Sequence, residues 1–285
     1  MSGSVFRFRE KYLPLGQRTY IMGVLNVTPD SFSDGGLFYS EDDALKRAKQ
    51  MLLEGADIID IGGMSTRPGS EPVSSEPVSE VEELRRVIPV IESIRKELPD
   101  AIISVDTFRP IVAEKAMTAG ADIINDVSGV FNANMAAIVK KYGAGYIVMH
   151  SAGLPSGEFP VYEKGVVSAV AEFFRDITDK LIKFGIKKSH ICLDPGFGFA
   201  KGVEDNLQLL KNLSSLKHKD MALLVALSRK RFIGAITDES DPKKRLEGTL
   251  AANFRAVEGG ADIIRVHDVK EHKSFLKAAD ELIRN

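Results

Sequence analysis

Gly-Ala-Asp-Ile-Ile occurs three times in this chain, at Gly55–Ile59, Gly120–Ile124 and Gly260–Ile264. Each copy follows an amphipathic run and leads into polar residues: Asp60 with Gly62 and Gly63, then Asn125 and Asp126, then Arg265 and His267. Glycine takes the left-handed conformation that ends a helix without a Cβ clash. The Asp-Ile-Ile after it has the character of a buried strand start. Each copy therefore predicts a helix stop, a strand and a polar strand tip. The copies begin at 55, 120 and 260, near multiples of about 33 residues, the length of one βα unit. Eight such units make a (β/α)8 barrel of about 250 residues.

Composition fits one such domain. The 285 residues are 44% apolar and include 24 glycines, enough for a sizeable core with many turns. A net charge of −2 points away from nucleic-acid and membrane surfaces. The single cysteine, Cys192, excludes an internal disulfide framework and a multi-cysteine metal site. Its neighbours Ile191 and Leu193 predict a small buried hydrophobe rather than a nucleophile. No run approaches the ~20 apolar residues of a membrane span, and Met1–Gln17 lacks the apolar stretch of a secretion signal. The expected location is the cytoplasm.

From the repeats outward, eight strand–helix units can be laid along the chain. Val5–Arg9 alternates Phe6 and Phe8 with Arg7 and Arg9, as a strand or arm that closes the barrel bottom. The predicted barrel strands are Tyr20–Asn26, Asp57–Ile61, Ala101–Val105, Asp122–Ile124, Gly145–Met149, Ile191–Leu193, Ala222–Leu227 and Asp262–Ile264. Ser40 and Asp43 have capping-box spacing. A long helix is expected at about Val166–Phe184, and Asp241-Pro242 reads as a helix N-cap with proline behind it. Inner helix faces are assigned to Leu45, Ala48, Met51 and Leu52; to Val81, Leu84, Val87, Ile88 and Ile91; to Leu246, Leu250, Phe254 and Val257; and to Phe275, Leu276, Ala279 and Leu282. The loops after the first two strands, rich in glycine and hydroxyls, are too long to be simple connections. The second, with its tandem Glu-Pro-Val-Ser, reads as a mobile flap. The whole chain, 1–285, is expected to be one domain with an arm at about 1–19. A doubly wound open sheet is the alternative, but no Gly-x-Gly-x-x-Gly turn follows the first strand.

The distinctive polar residues all fall at C-terminal strand ends, the face on which such barrels build active sites. They are the carboxylates Asp106 and Asp194, the amide Asn125, the cations Arg67, Lys201, Arg229, Lys230 and Arg265, and His267. Singly, each has an ordinary use as a cap, loop anchor or solvated charge. Together they suit a flat heterocycle: carboxylates accept from an amidine-like N–H array, and a carboxamide pairs with ring nitrogens. The cations and loop N–H groups suit an anion such as phosphate. Asn26 offers one neutral oxygen, which serves Mg2+ only if substrate phosphates complete the octahedron. His150 and His190 are expected to be structural, and His218 and His272 to be exposed. The sequence contains no serine nucleophile elbow, His-Glu-x-x-His helix or Walker loop.

At these residues the sequence resembles the dihydropteroate synthase family, from Ile21 to about His272. The motifs that carry the resemblance are Asn26–Gly35 (Asn-Val-Thr-Pro-Asp-Ser-Phe-Ser-Asp-Gly), Ser65–Gly69, Ile124–Gly129, Leu193–Phe199, Ser228-Arg229-Lys230 and Arg265–Asp268. The resemblance implies a (β/α)8 barrel, a homodimer, Mg2+, and condensation of 6-hydroxymethyl-7,8-dihydropterin diphosphate with p-aminobenzoate. It implies that Asp106, Asn125, Asp194 and Lys230 hold the pterin, and that Asn26 with its metal, Arg265 and His267 take the diphosphate. Thr66, Arg67, Pro68, Phe199 and Ser228 would shape the p-aminobenzoate site, with Arg67, Lys230, Arg265 and His267 acting in catalysis. Two positions depart from the family pattern: Met64 stands where glutamate is usual, and Ser151-Ala152 follows His150 in place of Met-Gln. Two other readings compete. A pterin-binding methyltransferase module shares the barrel and the carboxylates, but the Asn26–Gly35 and Ser65–Gly69 loops argue against it. A barrel that only binds pterin would not need cations at every expected tip.

Overall fold

The computed structural model describes residues 4–28, 41–64, 78–152 and 160–284. A two-stranded hairpin, β1 (Val5–Phe8) and β2 (Lys11–Pro14), precedes the barrel. The barrel strands are β3 (Tyr20–Asn26), β4 (Ile58–Gly62), β5 (Ile102–Asp106), β6 (Ile123–Asp126), β7 (Gly145–Met149), β8 (Ile191–Asp194), β9 (Ala222–Val225) and β10 (Ile263–Val266). Between and after them run helices α1 (Glu41–Glu54), α2 (Glu80–Glu97), α3 (Pro110–Ala119), α4 (Ala133–Tyr142), α5 (Val166–Phe184), α6 (Val203–Lys211), α7 (Arg231–Thr237), α8 (Leu246–Glu258) and α9 (Val269–Arg284). The eight strands pair in parallel and in chain order, and β10 returns to β3 to close the barrel. Asp241 caps a short 3-10 turn, Pro242–Lys244, rather than the helix itself, which starts at Leu246.

The repeated phrase explains how three of the strands are aimed. Gly55, Gly120 and Gly260 have φ of +107°, +113° and +90°, the left-handed stops the sequence calls for. The aspartates that follow sit just before their strands rather than inside them. Each takes a neighbouring strand's backbone N–H: Asp57 from Ile21 (2.9 Å), Asp122 from Ile103 (3.0 Å) and Asp262 from Leu223 (2.8 Å). Each also meets a cation: Arg18, Arg95 and Lys217 respectively. Side chains then alternate along the strand. Ile58, Ile123 and Ile263 point into the barrel, Ile59, Ile124 and Ile264 out to the helices, and the next residue points in again.

The inward isoleucines form an apolar lower layer with Met22, Ile147, Cys192 and Leu224. Phe6 and Phe8 of the arm, both 0% exposed, fill it from below and so close the barrel bottom as predicted. Burying such a side chain is worth about 1.5–3 kcal/mol. Cys192 is fully buried here, and burial pushes its thiol well above the ordinary range. The barrel seam is latched from outside: Asp280 of α9 accepts from Thr19 N–H and Oγ1 (both 2.7 Å), and Arg284 donates to Ala261 O (2.7 Å).

Four assignments are corrected. Val81 and Leu282 are 74% and 77% exposed, outside the apolar stripes of α2 and α9. The buried face of α8 is Thr249, Ala252, Asn253 and Ala256 with Val257; Phe254 packs on the core as expected, while Leu246 and Leu250 are half-buried and lie outside it. His272 is fully buried, because its Nδ1 meets Asp268 O and its Nε2 meets Asn253. Ser40 and most of the two long loops lie outside the described residues.

Candidate active site

The residue after Ile-Ile in the three repeats is Asp60, Asn125 or Arg265, and the strand alternation turns all three into the barrel mouth. There they meet. Arg265 Nε donates to Asp60 Oδ2 (2.7 Å), and Asn125 Nδ2 donates to the same oxygen (3.2 Å). Asp60 Oδ1 accepts from Ser104 Oγ (2.6 Å), two residues below Asp106 on β5. Arg265 Nη2 reaches Asp106 Oδ2 (2.8 Å), so one guanidinium spans two buried carboxylates. Asn26, Gly62, Asp106 and Asn125 stand in one register row across β3 to β6. Gly62 leaves the space between Asn26 Oδ1 and Asp106 open.

The other side of the mouth is built by β8 and β9. Asp194 Oδ1 accepts from Gly196 N–H (2.7 Å) at the start of the following loop. That loop is pinned by Lys201, whose ammonium donates to the carbonyls of His150, Gly196 and Phe199 (2.9–3.3 Å). Lys230 Nζ lies 4.5 Å from the Phe199 ring centroid, a cation–π distance. Ser228 Oγ lies 3.0 Å from His267 Nδ1. The expected pterin, diphosphate and arylamine residues that are described thus form one continuous rim. Thr66, Arg67 and Pro68 fall outside the described residues.

Burial sets the charge states. Asp106 is pushed up to about 7, with Arg265 opposing the rise. Asp194 is also raised by burial, against the Gly196 N–H and Lys230. Burial lowers Lys230 to about 8 and Lys201 to about 7, with Asp194 resisting both shifts. Arg265 is desolvated too, but Asp60 and Asp106 hold it above the ordinary arginine value. His150, packed on Phe173 and lowered to about 3 by burial, stays neutral and structural. One acceptor in this network is left over: Asn125 Oδ1 is buried with no hydrogen-bond partner among the described residues. Orphaned buried acceptors are rare and expensive. This one lies beside the Asp60 and Asp106 carboxylates, an acceptor-rich arrangement that a donor-rich heterocycle would complete.

Asp60 is the residue the sequence reading passed over. It is named there as a strand tip but given no role, although its repeat equivalents Asn125 and Arg265 are both chosen. The repeat register is the signal that finds it. Met64 also has a structural sequel: Arg109 touches its Sδ (3.3 Å), pairs with the buried Glu83, and donates to Val78 O (2.7 Å). Glu83 of α2 thus gives Arg109 a carboxylate although position 64 has none.

A parallel barrel with a buried carboxylate, amide and guanidinium layer defines an enzyme that grips a flat, nitrogen-rich ring. The sequence profile of the pterin binding enzymes matches residues 22–267, and the chain belongs to that family. It is 48% identical over 271 residues to a dihydropteroate synthase of Synechocystis, covering 94% of this chain and 92% of that one. A Clostridium difficile dihydropteroate synthase solved in the presence of pteroic acid superposes with a TM-score of 0.87 at 44% identity, over 96% of this chain and 100% of that one. The Xanthomonas albilineans enzyme with 4-aminobenzoic acid superposes at 0.88 with 38% identity, over 98% of both. Within the pterin binding enzymes the chain belongs with the dihydropteroate synthases, transferases of folate synthesis.

Proposed function

We propose that this chain condenses 6-hydroxymethyl-7,8-dihydropterin diphosphate with p-aminobenzoate, releasing pyrophosphate and 7,8-dihydropteroate, at the barrel mouth described above. The observation that carries the assignment of residues is the unpartnered Asn125 Oδ1 beside Asp60 and Asp106. In this reading Asp106, Asn125, Asp194 and Lys230 bind the pterin, and Asp60 joins them by fixing Arg265 and Asn125. Arg265 and His267 meet the diphosphate, leaving Arg265 Nη1 for the anion once its Nε and Nη2 are committed to Asp60 and Asp106. Phe199 and Ser228, with Thr66, Arg67 and Pro68, form the arylamine side.

The chemistry these groups must do is modest on one side and demanding on the other. An arylamine is neutral at pH 7, so its lone pair attacks without a general base. Departure of pyrophosphate is the difficult step, and cations placed on the leaving group stabilise its developing charge. Positive charge on the pterin methylene spreads into the dihydropterin ring, so we assign an SN1-like displacement with no covalent enzyme intermediate. Lys230, over the Phe199 ring, would orient both substrates.

Mg2+ fits this site only as a shared ion. No group of three or more metal-ligating His, Cys, Asp or Glu side chains occurs among the described residues. Asn26 Oδ1 supplies one neutral oxygen beside Asp106, so the diphosphate and water would provide the remaining ligands. When bound there, the ion would neutralise charge on the leaving group.

We further read the whole chain, 1–285, as one domain with about 1–19 as its arm, and assign it to the cytoplasm as a homodimer. No helix among the described residues is long and apolar enough to cross a membrane.

The test is pyrophosphate release from the purified protein given the pterin diphosphate and Mg2+, with and without p-aminobenzoate. Release that depends on the arylamine and yields dihydropteroate is expected. Slow release without the arylamine would agree with ionisation before attack. Tight pterin binding with no release under either condition would overturn the assignment.

A further inference from the structure

Arg229 stands between two of the proposed substrate contacts, Ser228 and Lys230, with φ +59°. Non-glycine residues seldom hold that left-handed conformation unless their surroundings over-determine it. Here they do. The Arg229 N–H donates to Thr249 Oγ1 (3.2 Å), and its carbonyl accepts from Arg245 Nη1 (3.1 Å). Its guanidinium is turned onto Asp268 in a two-point ion pair, with Nε–Oδ2 at 3.0 Å.

The groups that hold it are themselves held. Thr249 Oγ1 donates to Arg245 O (2.7 Å). Arg245, 7% exposed, also donates to the carbonyls of Glu239 (2.9 Å) and Ser240 (2.6 Å) and pairs with no carboxylate among the described residues. The Asp268 carbonyl lies 2.6 Å from His272 Nδ1, which leaves His272 Nε2 to accept from Asn253 Nδ2 (2.9 Å). Arg245, Thr249 and Asn253 recur every fourth residue, so they form one buried polar stripe along α8. Asn253 Oδ1 is left without a hydrogen-bond partner among the described residues, but its Nδ2, Thr249 Oγ1 and the Arg245 guanidinium are all bonded. A helix that only packed against the barrel would be better served by apolar side chains, because buried polar groups cost free energy.

We infer that Arg229 is a positioning residue, the pivot that turns Ser228 and Lys230 into the mouth, and that the Arg245–Thr249–Asn253 stripe with Asp268 holds this pivot. The inference rests on the substrate roles proposed for Ser228 and Lys230. The Arg229 guanidinium itself is committed to Asp268.

Thr249→Val removes the acceptor of the Arg229 N–H and keeps the side-chain shape. Its dissociation constant for pteroic acid and its KM for p-aminobenzoate should both rise about tenfold, and Asp268→Asn should act in the same direction. Thr249→Ser, which retains the hydroxyl, should restore both. In an Arg229→Gly background the left-handed turn carries no Cβ penalty, so adding Thr249→Val should cost less than it does in the parent. Folded Thr249→Val and Asp268→Asn proteins with lowered Tm but unchanged affinity and KM would overturn the inference. Lys230→Met separates the two readings. If Lys230→Met weakens pteroic acid binding and Thr249→Val does not, the pivot fails and the site stands. If Lys230→Met leaves binding unchanged, the site assignment falls and the pivot with it.

Discussion

Asp106 shows how one buried group records the state of the mouth. Burial raises it from the ordinary 3.8 to about 7, so the folded, ligand-free protein binds a proton there that the unfolded chain has lost. Its contribution to stability is full below about pH 4 and fades as pH rises through 7. Melting temperature measured from pH 4 to 8 without ligand should therefore carry a downward component that Asp106→Asn lacks. Equal slopes for the two proteins would contradict the shift. Asp106, Asn125, Asp194, Lys230 and Arg265 were legible in the sequence because each is a polar residue at the end of an apolar run. Asp60 was equally visible as a letter but not as a partner. Its value lies in accepting from Arg265, Asn125 and Ser104 at once, a convergence of three strands distant in sequence.

At the scale of elements, the sequence located every barrel strand and helix α5, and it misjudged faces and edges. Strand edges slipped because Asp57, Asp122 and Asp262 look like strand residues while acting as side-chain acceptors for the next strand. Their role is structural and belongs to the end of the barrel away from the substrates. Asp122→Ala would strand the buried Ile103 N–H and free Arg95 from its carboxylate. A loss of about 1–3 kcal/mol in urea unfolding is expected, with KM for both substrates unchanged. The face of α8 was misread for a different reason. Counting leucines finds the helix's most apolar stripe, but its buried stripe is Thr249, Ala252, Asn253 and Ala256, with buried Arg245 at the N-cap. Nothing local in the sequence shows that those polar residues have partners at Arg229 and His272.

Across the whole molecule, the apolar floor and the proposed site occupy opposite ends of the same tube. The lower interior is isoleucine, methionine and the two arm phenylalanines; the upper interior is carboxylate, amide and guanidinium. Phe6→Ala should cost about 3–5 kcal/mol, seen as a lower Tm, while the pteroic acid dissociation constant of the folded protein stays the same. A change in that constant would mean that the two layers are mechanically coupled. The single repeat phrase builds both ends: its isoleucines furnish the floor and the residue after them furnishes the polar layer of the proposed site.

The pairing of β10 with β3, latched by Thr19, Asp280 and Arg284, also bears on how the protein is made. The strand β3, ending at Asn26, leaves the ribosome long before β10, starting at Ile263, and waits for it. At translation rates of about 5–20 residues per second that delay is on the order of tens of seconds. During it the open edge of β3 is an unpaired template for other nascent strands. The protein is therefore expected to depend on chaperones during synthesis far more than its closed native barrel suggests.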